Sequence, residues 1–272
     1  MILTIGFIGS GAIASALARL SVAAGLNVVM SNSRGPETLT DLVHELGDRA
    51  RAATPEQAAR AGDLVVLATP FNAYDKLPVE SLNGKIVIDT TNYYPIRDGQ
   101  IPVLDAAQLT SSELVQRHLK GAKVVKALNH LDAYHLFLNA RSHNKSTCTT
   151  LPLAGDDSEA KEAVMKFMDT IGYNAIDMGL LSESWRSEPG TPIHVCPYAP
   201  SVPEGFSGEE AQDWYTKTPG TPVSAAQAKD LIAKAVRPLP VGGSPNRLPP
   251  VLTAIAEKHR WLPAGSLKNP RP

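Results

Sequence analysis

The feature that most constrains this chain is a glycine turn between an apolar strand and an Ala-rich helix. Leu3–Ile8 is a short apolar run, Gly9-Ser10-Gly11-Ala12-Ile13-Ala14 follows, and residues 12–24 carry an amphipathic helical pattern. A second apolar run, Asn27–Ser31, comes next. Strand, G-x-G-x-x-A turn, helix and strand in that order predict the first unit of a dinucleotide-binding sheet. Each small residue has its own task. Gly9 permits the tight turn, Gly11 lets the backbone approach a pyrophosphate with no Cβ in the way, and Ala14 allows close helix–strand packing. The helix start adds free N–H groups and partial positive charge. The bland alternative is an ordinary strand-to-helix turn.

The same alternation continues. Further strands are predicted at Leu64–Ala68, Lys85–Asp89, Ala122–Ala127, Thr150–Ala154 and Asn174–Asp177. Near-continuous apolarity in LVVLA and KIVID predicts burial on both faces, as in a parallel sheet. Helices are predicted at 36–46, opening with Pro36, at 111–119, with Thr110 and Glu113 in capping-box spacing, and at 158–171, ending at Gly172. The expectation is an α/β fold: a Rossmann-type, doubly wound, mostly parallel sheet. Proline divides the chain, because 15 of its 22 prolines lie in residues 187–272. Residues 1–186 read as the Rossmann domain. Residues 187–272 read as a Pro-rich C-terminal extension with short helical patterns near 224–236 and 249–260. Trp214, Tyr215 and Trp261 make it too apolar for a disordered tail, so it is expected to wrap the domain or a dimer partner.

Composition removes other classes. With 26 Lys and Arg against 27 Asp and Glu, the net charge of −1 gives no reason to expect nucleic acid or an anionic membrane surface. No apolar run reaches the roughly 18–20 residues of a membrane span. Two cysteines, Cys148 and Cys196, exclude a disulfide framework, suggest a reducing compartment, and read as ordinary buried thiols. Residues 1–20 lack the basic start of a secretory signal, and Gly6, Gly9 and Gly11 interrupt the apolar stretch, so a cytoplasmic protein is expected.

An NAD-preferring site places an acid at the end of the second strand. Here that end reads Met30-Ser31-Asn32-Ser33-Arg34-Gly35-Pro36, with no acid before Glu37. Ser33 and Arg34 offer a hydroxyl and a guanidinium where the 2′-phosphate of NADP would sit, unless Arg34 is merely a solvated loop residue. Ligands in such sheets bind at the carboxyl edge. Thr69, Pro70 and Phe71 after one strand and Asn92 after another are therefore candidate cofactor contacts, beside the turn residues Gly9, Ser10, Gly11, Ala12 and Ile13. The alternative is plain turn chemistry, since strand ends use Pro, Asn and Thr in any case; cofactor contact is the preferred reading for Thr69 and Pro70, and the two readings are even for Asn92. Asn129 and His130 follow the strand at 122–127 and are expected to face the nicotinamide, or else to cap a helix and pack. His130, Tyr93 and Tyr134 are the titratable candidates for catalysis. His130 and His135 are in H-x₄-H spacing, which does not place two imidazoles on one helix face, so no metal is expected. Trp185 and Arg186 either wall the ring-binding site or anchor the extension.

The segments IGFIGSGAIASALA, Ser33-Arg34, DLVVLATPF, GKIVIDTTNYY, GAKVVKALNH and LAGDDSEAK…IGY span roughly residues 1–186. Together they resemble the coenzyme F420-dependent NADP oxidoreductase family, a Rossmann group related to pyrroline-5-carboxylate reductases. The resemblance implies NADP along Gly9–Ala14, with Ser33 and Arg34 on its 2′-phosphate. It also implies a homodimer, and a hydride exchanged between nicotinamide C4 and a second ring such as F420 or a flavin. Residues 187–272 match nothing in the family's shorter members. The expected partner is thus a small-molecule hydride acceptor or donor. The alternatives are an NADPH-dependent imine or carbonyl reductase and a non-catalytic NADP-binding sensor.

Overall fold

A computed structural model of the chain describes residues 3–140, 148–242 and 248–258. Its strands are β1 (Thr4–Ile8), β2 (Asn27–Ser31), β3 (Ala50–Ala52), β4 (Leu64–Leu67), β5 (Ile86–Asp89), β6 (Lys123–Ala127), β7 (Thr150–Gly155) and β8 (Asn174–Asp177). They form one sheet of 8 strands in the order β3-β2-β1-β4-β5-β6-β7-β8. Strands β1 to β6 run parallel, β7 is antiparallel to β6, and β8 is parallel to β7. Chain order reverses between β1 and β4, which leaves a crevice at their carboxyl ends. All four residues of β4 are buried, as a parallel strand covered on both faces requires. Strand β3 escapes sequence reading because Ala-Arg-Ala has neither length nor an apolar period.

Local rules set the helix ends. The Thr110 side chain accepts from the Glu113 N–H while Glu113 reaches back, forming a capping box on the helix Ser111–His118. Asp157 caps Ser158–Thr170, and Gly172 follows with φ +95°. The 36–46 segment is a 3₁₀ turn, Pro36–Leu39, running into the α-helix Thr40–Leu46. Helix α1 (Ala12–Ala23) has no side-chain cap at its start and no acid in its first turn.

Two apolar layers cover the sheet. Ile5, Phe7, Leu17, Val125 and Phe167 belong to one, and Leu67, Phe71, Tyr93 and Val115 to the other. Each such side chain stabilises the fold by about 1.5–3 kcal/mol.

The described part of residues 187–258 lies against the sheet domain. Ile193, Tyr198, Val223 and Ala228 join the larger layer, while Val195, Tyr215, Leu252 and Ile255 cluster together. Hydrogen bonds tie it down. Asp132 Oδ1 accepts from the Tyr134 and His135 N–H groups as an N-cap, and Asp132 Oδ2 accepts from Tyr215 Oη at 3.0 Å. Arg237 donates to the Ala107 and Leu109 carbonyls. The helical patterns near 224–236 and 249–260 become Ala225–Ala233 and Pro250–Lys258. Trp261 lies outside the described residues. No helix among the described residues is long and apolar enough to cross a membrane.

Candidate functional site

A cleft of about 420 Å³ opens at the carboxyl ends of β1, β4, β5 and β6. Gly11, Ala12 and Ile13 of the turn line it, together with His194, Val195 and Leu252 of the extension. The two glycines of the turn do different work. Gly9 has φ +111°, and a Cβ there would lie 2.2 Å from the Ala68 carbonyl oxygen, so the fold itself demands glycine. At Gly11 a Cβ would meet no atom within 4 Å. The fold leaves that space open, and it faces the cleft. The first N–H groups of α1 border the same space without a side-chain acceptor. Thr69 Oγ1, also on the cleft, is buried with no hydrogen-bond partner. Open space over a glycine, uncapped N–H donors and an orphaned hydroxyl together fit a phosphate and its sugar.

Asn32, which sequence reading passed over, shapes the neighbouring loop. Its Nδ2 donates to Ser10 Oγ at 3.2 Å and to Thr38 Oγ1 at 2.9 Å, and its Oδ1 accepts from the Arg34 and Gly35 N–H groups. This Asx turn presents the exposed side chains of Ser33 and Arg34 beside the glycine turn. Arg34 makes no ion pair among the described residues.

The cleft floor carries Asn92 and Asn129, locked to each other. Asn92 Nδ2 donates to the Asn129 carbonyl at 2.6 Å, and Asn129 Nδ2 donates to Asn92 Oδ1 at 3.1 Å and to the Ser187 carbonyl at 3.0 Å. Beneath them lies a buried ion pair between register partners on β5 and β6, Asp89 and Lys126, at 3.5 Å. Every charge there is served. Asp89 accepts from Thr91 and Ser112, and Lys126 donates to the Thr91 carbonyl and to Ser111 Oγ. Glu188 Oε1 accepts from the Ser111 N–H and Oγ, joining the extension to the network. Such a network tolerates burial only because it is satisfied.

Thr69, Pro70, Asn92 and Asn129 come together with Gly11, Ala12 and Ile13 in this cleft. Other candidates do not. Phe71 is fully buried, stacked on Tyr74 at 5.4 Å, because its side chain turns into the core beside Tyr93. Tyr93 is also a core residue. Its hydroxyl donates to Asp105 at 2.7 Å and accepts from the Ile101 N–H, and burial pushes its pKa up to about 12. The cleft instead receives the next residue, Tyr94, with the Arg97 guanidinium 4.9 Å over its ring. His130 is fully buried behind the cleft against Tyr198, and its Nε2 has no partner. Burial holds its pKa well below 6.5. Tyr134 faces a separate surface groove with Glu209 and Asp213. Trp185 and Arg186 stack on each other at 4.5 Å, away from the cleft lining. Cys148 is buried, but Cys196 is exposed.

Sequence reading missed His194, because nothing periodic or motif-like surrounds it. Two strained residues mark its neighbourhood. Leu128 has φ +60° and Val195 has φ +57°, conformations that cost a non-glycine residue about 1–3 kcal/mol. Both adjoin cleft residues, Asn129 and His194.

The family described as NADP oxidoreductase, coenzyme F420-dependent, matches residues 4–93. A solved hypothetical protein, SMa0349 from Sinorhizobium meliloti, is 30% identical with a TM-score of 0.63; the match covers 71% of this chain and 93% of that one. A putative F420-dependent NADP-reductase from Arthrobacter sp. FB24 shares the fold at 24% identity and a TM-score of 0.57, over 67% of this chain and 87% of that one. Metalloreductase STEAP3 of Rattus norvegicus is 27% identical over 195 residues, 71% of this chain. This chain spans 37% of the length of that curated relative. The matched family begins in the strand before the glycine turn and ends at Tyr93, and so contains the cleft residues from Gly11 to Asn92. Residues 4–93 of the chain belong to the coenzyme F420-dependent NADP oxidoreductase family, a group of nicotinamide-dependent oxidoreductases.

Proposed function

We propose that the cleft binds NADPH and passes a hydride to a planar ring acceptor of the F420 or flavin kind. The observation that carries this is the opening at Gly11, bordered by uncapped helix N–H groups and reaching the unpartnered Thr69 Oγ1. Gly9 to Ile13 would take the pyrophosphate, Ser33 and Arg34 the 2′-phosphate, Thr69 and Pro70 a ribose, and Asn92 and Asn129 the nicotinamide end. When bound, NADPH would supply the hydride; with a proton from solvent this would complete reduction of the acceptor ring and leave NADP⁺. The protein's part is to orient the two rings and exclude water. The interlocked Asn92 and Asn129 fix the floor, while the described part of residues 187–258 adds His194, Val195, Leu248, Leu252 and Ala256 to the lining.

A ring acceptor is favoured over an imine or carbonyl because the described residues of the cleft offer no ready acid. The Asp132 carboxylate is engaged as an N-cap and by Tyr215, and burial raises Tyr94 to about 12. A carbonyl or imine gathers charge on one atom and gains about 10²–10⁴-fold from a positioned acid, whereas a conjugated ring spreads that charge. Two measurements test the proposal. NADPH oxidation under anaerobic conditions is expected with F420 or flavins and not with cyclic imines; binding without turnover would instead support a sensor. Arg34→Ala is expected to weaken NADPH about 10- to 100-fold, the size of a lost charge-assisted hydrogen bond, and to leave NADH nearly unchanged. Equal weakening of both cofactors would remove Arg34 from the 2′-phosphate.

A further inference from the structure

His194 lines the cleft, in the segment that the extension adds. Its Nδ1 lies 3.1 Å from the Ser187 carbonyl oxygen. A carbonyl oxygen only accepts, so Nδ1 carries the proton and Nε2 is left as a lone-pair acceptor. Burial, with the Lys126 ammonium nearby, lowers the imidazole pKa to about 4, and the Ser187 bond only partly offsets this. The ring is therefore uncharged near neutrality and has no second N–H to give.

The backbone holds this ring in one place. Val195 has φ +57° and ψ −62°, and the Cys196 N–H bonds to the His194 carbonyl at 2.7 Å, which closes a three-residue γ-turn. A β-branched residue adopts that turn only when its surroundings impose it. The Val195 N–H also bonds to the His130 carbonyl at 2.9 Å, and the Ser187 carbonyl that anchors His194 is the one bound by Asn129. The imidazole is thereby tied to the floor residue at the nicotinamide end. Tyr94, Leu131, Val195 and Leu252 add mainly apolar lining to the same cleft. An apolar lining beside an imidazole acceptor suits a flat heterocycle that presents an N–H. It does not suit a molecule that offers only carbonyl oxygens, whose lone pairs would face that of Nε2.

We propose that His194 is a specificity-determining residue whose Nε2 accepts one hydrogen bond from a ring N–H of the hydride acceptor. It would thereby select flavin- and deazaflavin-type rings over N-methylated rings and quinones. This rests on the hydride-transfer reading above.

The test compares anaerobic NADPH oxidation with riboflavin, 5-deazariboflavin, 3-methylriboflavin and menadione, alongside a separate titration of NADPH binding. For the unaltered protein, kcat/KM is expected to be about tenfold or more higher for the two N–H rings than for the 3-methyl ring, the cost of one unsatisfied buried group. His194→Asn keeps a donor for Ser187 but places no acceptor at the Nε2 position. It should lower kcat/KM about tenfold for riboflavin, chiefly through KM, with 3-methylriboflavin and NADPH affinity unchanged. His194→Gln, whose amide oxygen reaches the Nε2 position, should recover most of the loss. Equal rates for riboflavin and 3-methylriboflavin in the unaltered protein would overturn the proposal without any variant. So would an equal fall for both rings in His194→Asn. Tight NADPH binding with no turnover on any ring would overturn the hydride-transfer reading, and this inference with it.

Discussion

Residues 4–93 and the described part of residues 187–258 line the same cleft, yet they are encoded in different ways. In the first region each step is local. A strand feeds a glycine turn, the turn opens α1, and an Asx turn at Asn32 sets the next loop. In the second region almost nothing is local. Its placement depends on Tyr215 reaching Asp132, Glu188 reaching Ser111, and Arg237 reaching the carbonyls of Ala107 and Leu109, contacts across 77 to 130 residues. A binding edge can be written by short-range rules, but a wall that closes over it must be held by the rest of the fold.

Removing the second region is the most severe way to break this comparison. A chain ending at Ser187 would lose Ile193, Val195, Tyr198, Tyr215, Leu252 and Ile255, all buried. At about 1.5–3 kcal/mol each, their loss is comparable to the roughly 5–15 kcal/mol by which a domain is stable. Such a chain is expected to be insoluble or unfolded by circular dichroism. A soluble chain with an unchanged melting point would mean that the two regions are independent.

The next contrast lies inside the glycine turn. Gly11→Val is expected to keep the melting temperature and to lose at least about 100-fold in NADPH affinity by calorimetry, since the branched side chain would fill the opening that the fold leaves there. Gly9→Val is expected not to fold, because of its positive φ and the 2.2 Å approach to Ala68. Unchanged affinity in folded Gly11→Val would make that glycine merely structural.

The extent to which the sequence was readable follows the same division. All seven of the strands expected from apolar runs are present, and the Thr110–Glu113 capping box forms as its spacing predicts. Those features depend on neighbours within a few residues. The errors cluster where phase or distance decides. After β5, Tyr93 and Tyr94 look alike in sequence; the backbone phase sends the first to the core and the second to the cleft. Phe71 was misplaced for the same reason. The Asp89–Lys126 pair becomes visible only once β5 and β6 are aligned in register. His194 has no local mark at all, since its role depends on Ser187, Asn129 and a strained turn built against His130.

A smaller effect sharpens the contrast through pH. His130 and His194 are both held below the ordinary 6.5 by burial, His194 at about 4. Between about pH 6.5 and 4 the unfolded chain binds protons that the folded chain does not, so stability falls as pH drops through that window. For His194 alone the loss is on the order of 3 kcal/mol. Urea unfolding at about pH 7.5 and 4.5 should show it, and His194→Gln should flatten the slope. An identical slope in that variant would place the histidine in a more solvated setting than the cleft wall.

The most direct test of a cofactor site shared by the two regions is hydrogen exchange with and without saturating NADPH. Exchange is expected to slow about tenfold or more at residues 9–15, 31–35 and 68–71, and also across 187–198, where Ser187, His194 and Val195 face the floor. Protection confined to the glycine turn and its neighbouring loops, with residues 187–198 unchanged, would contradict the account.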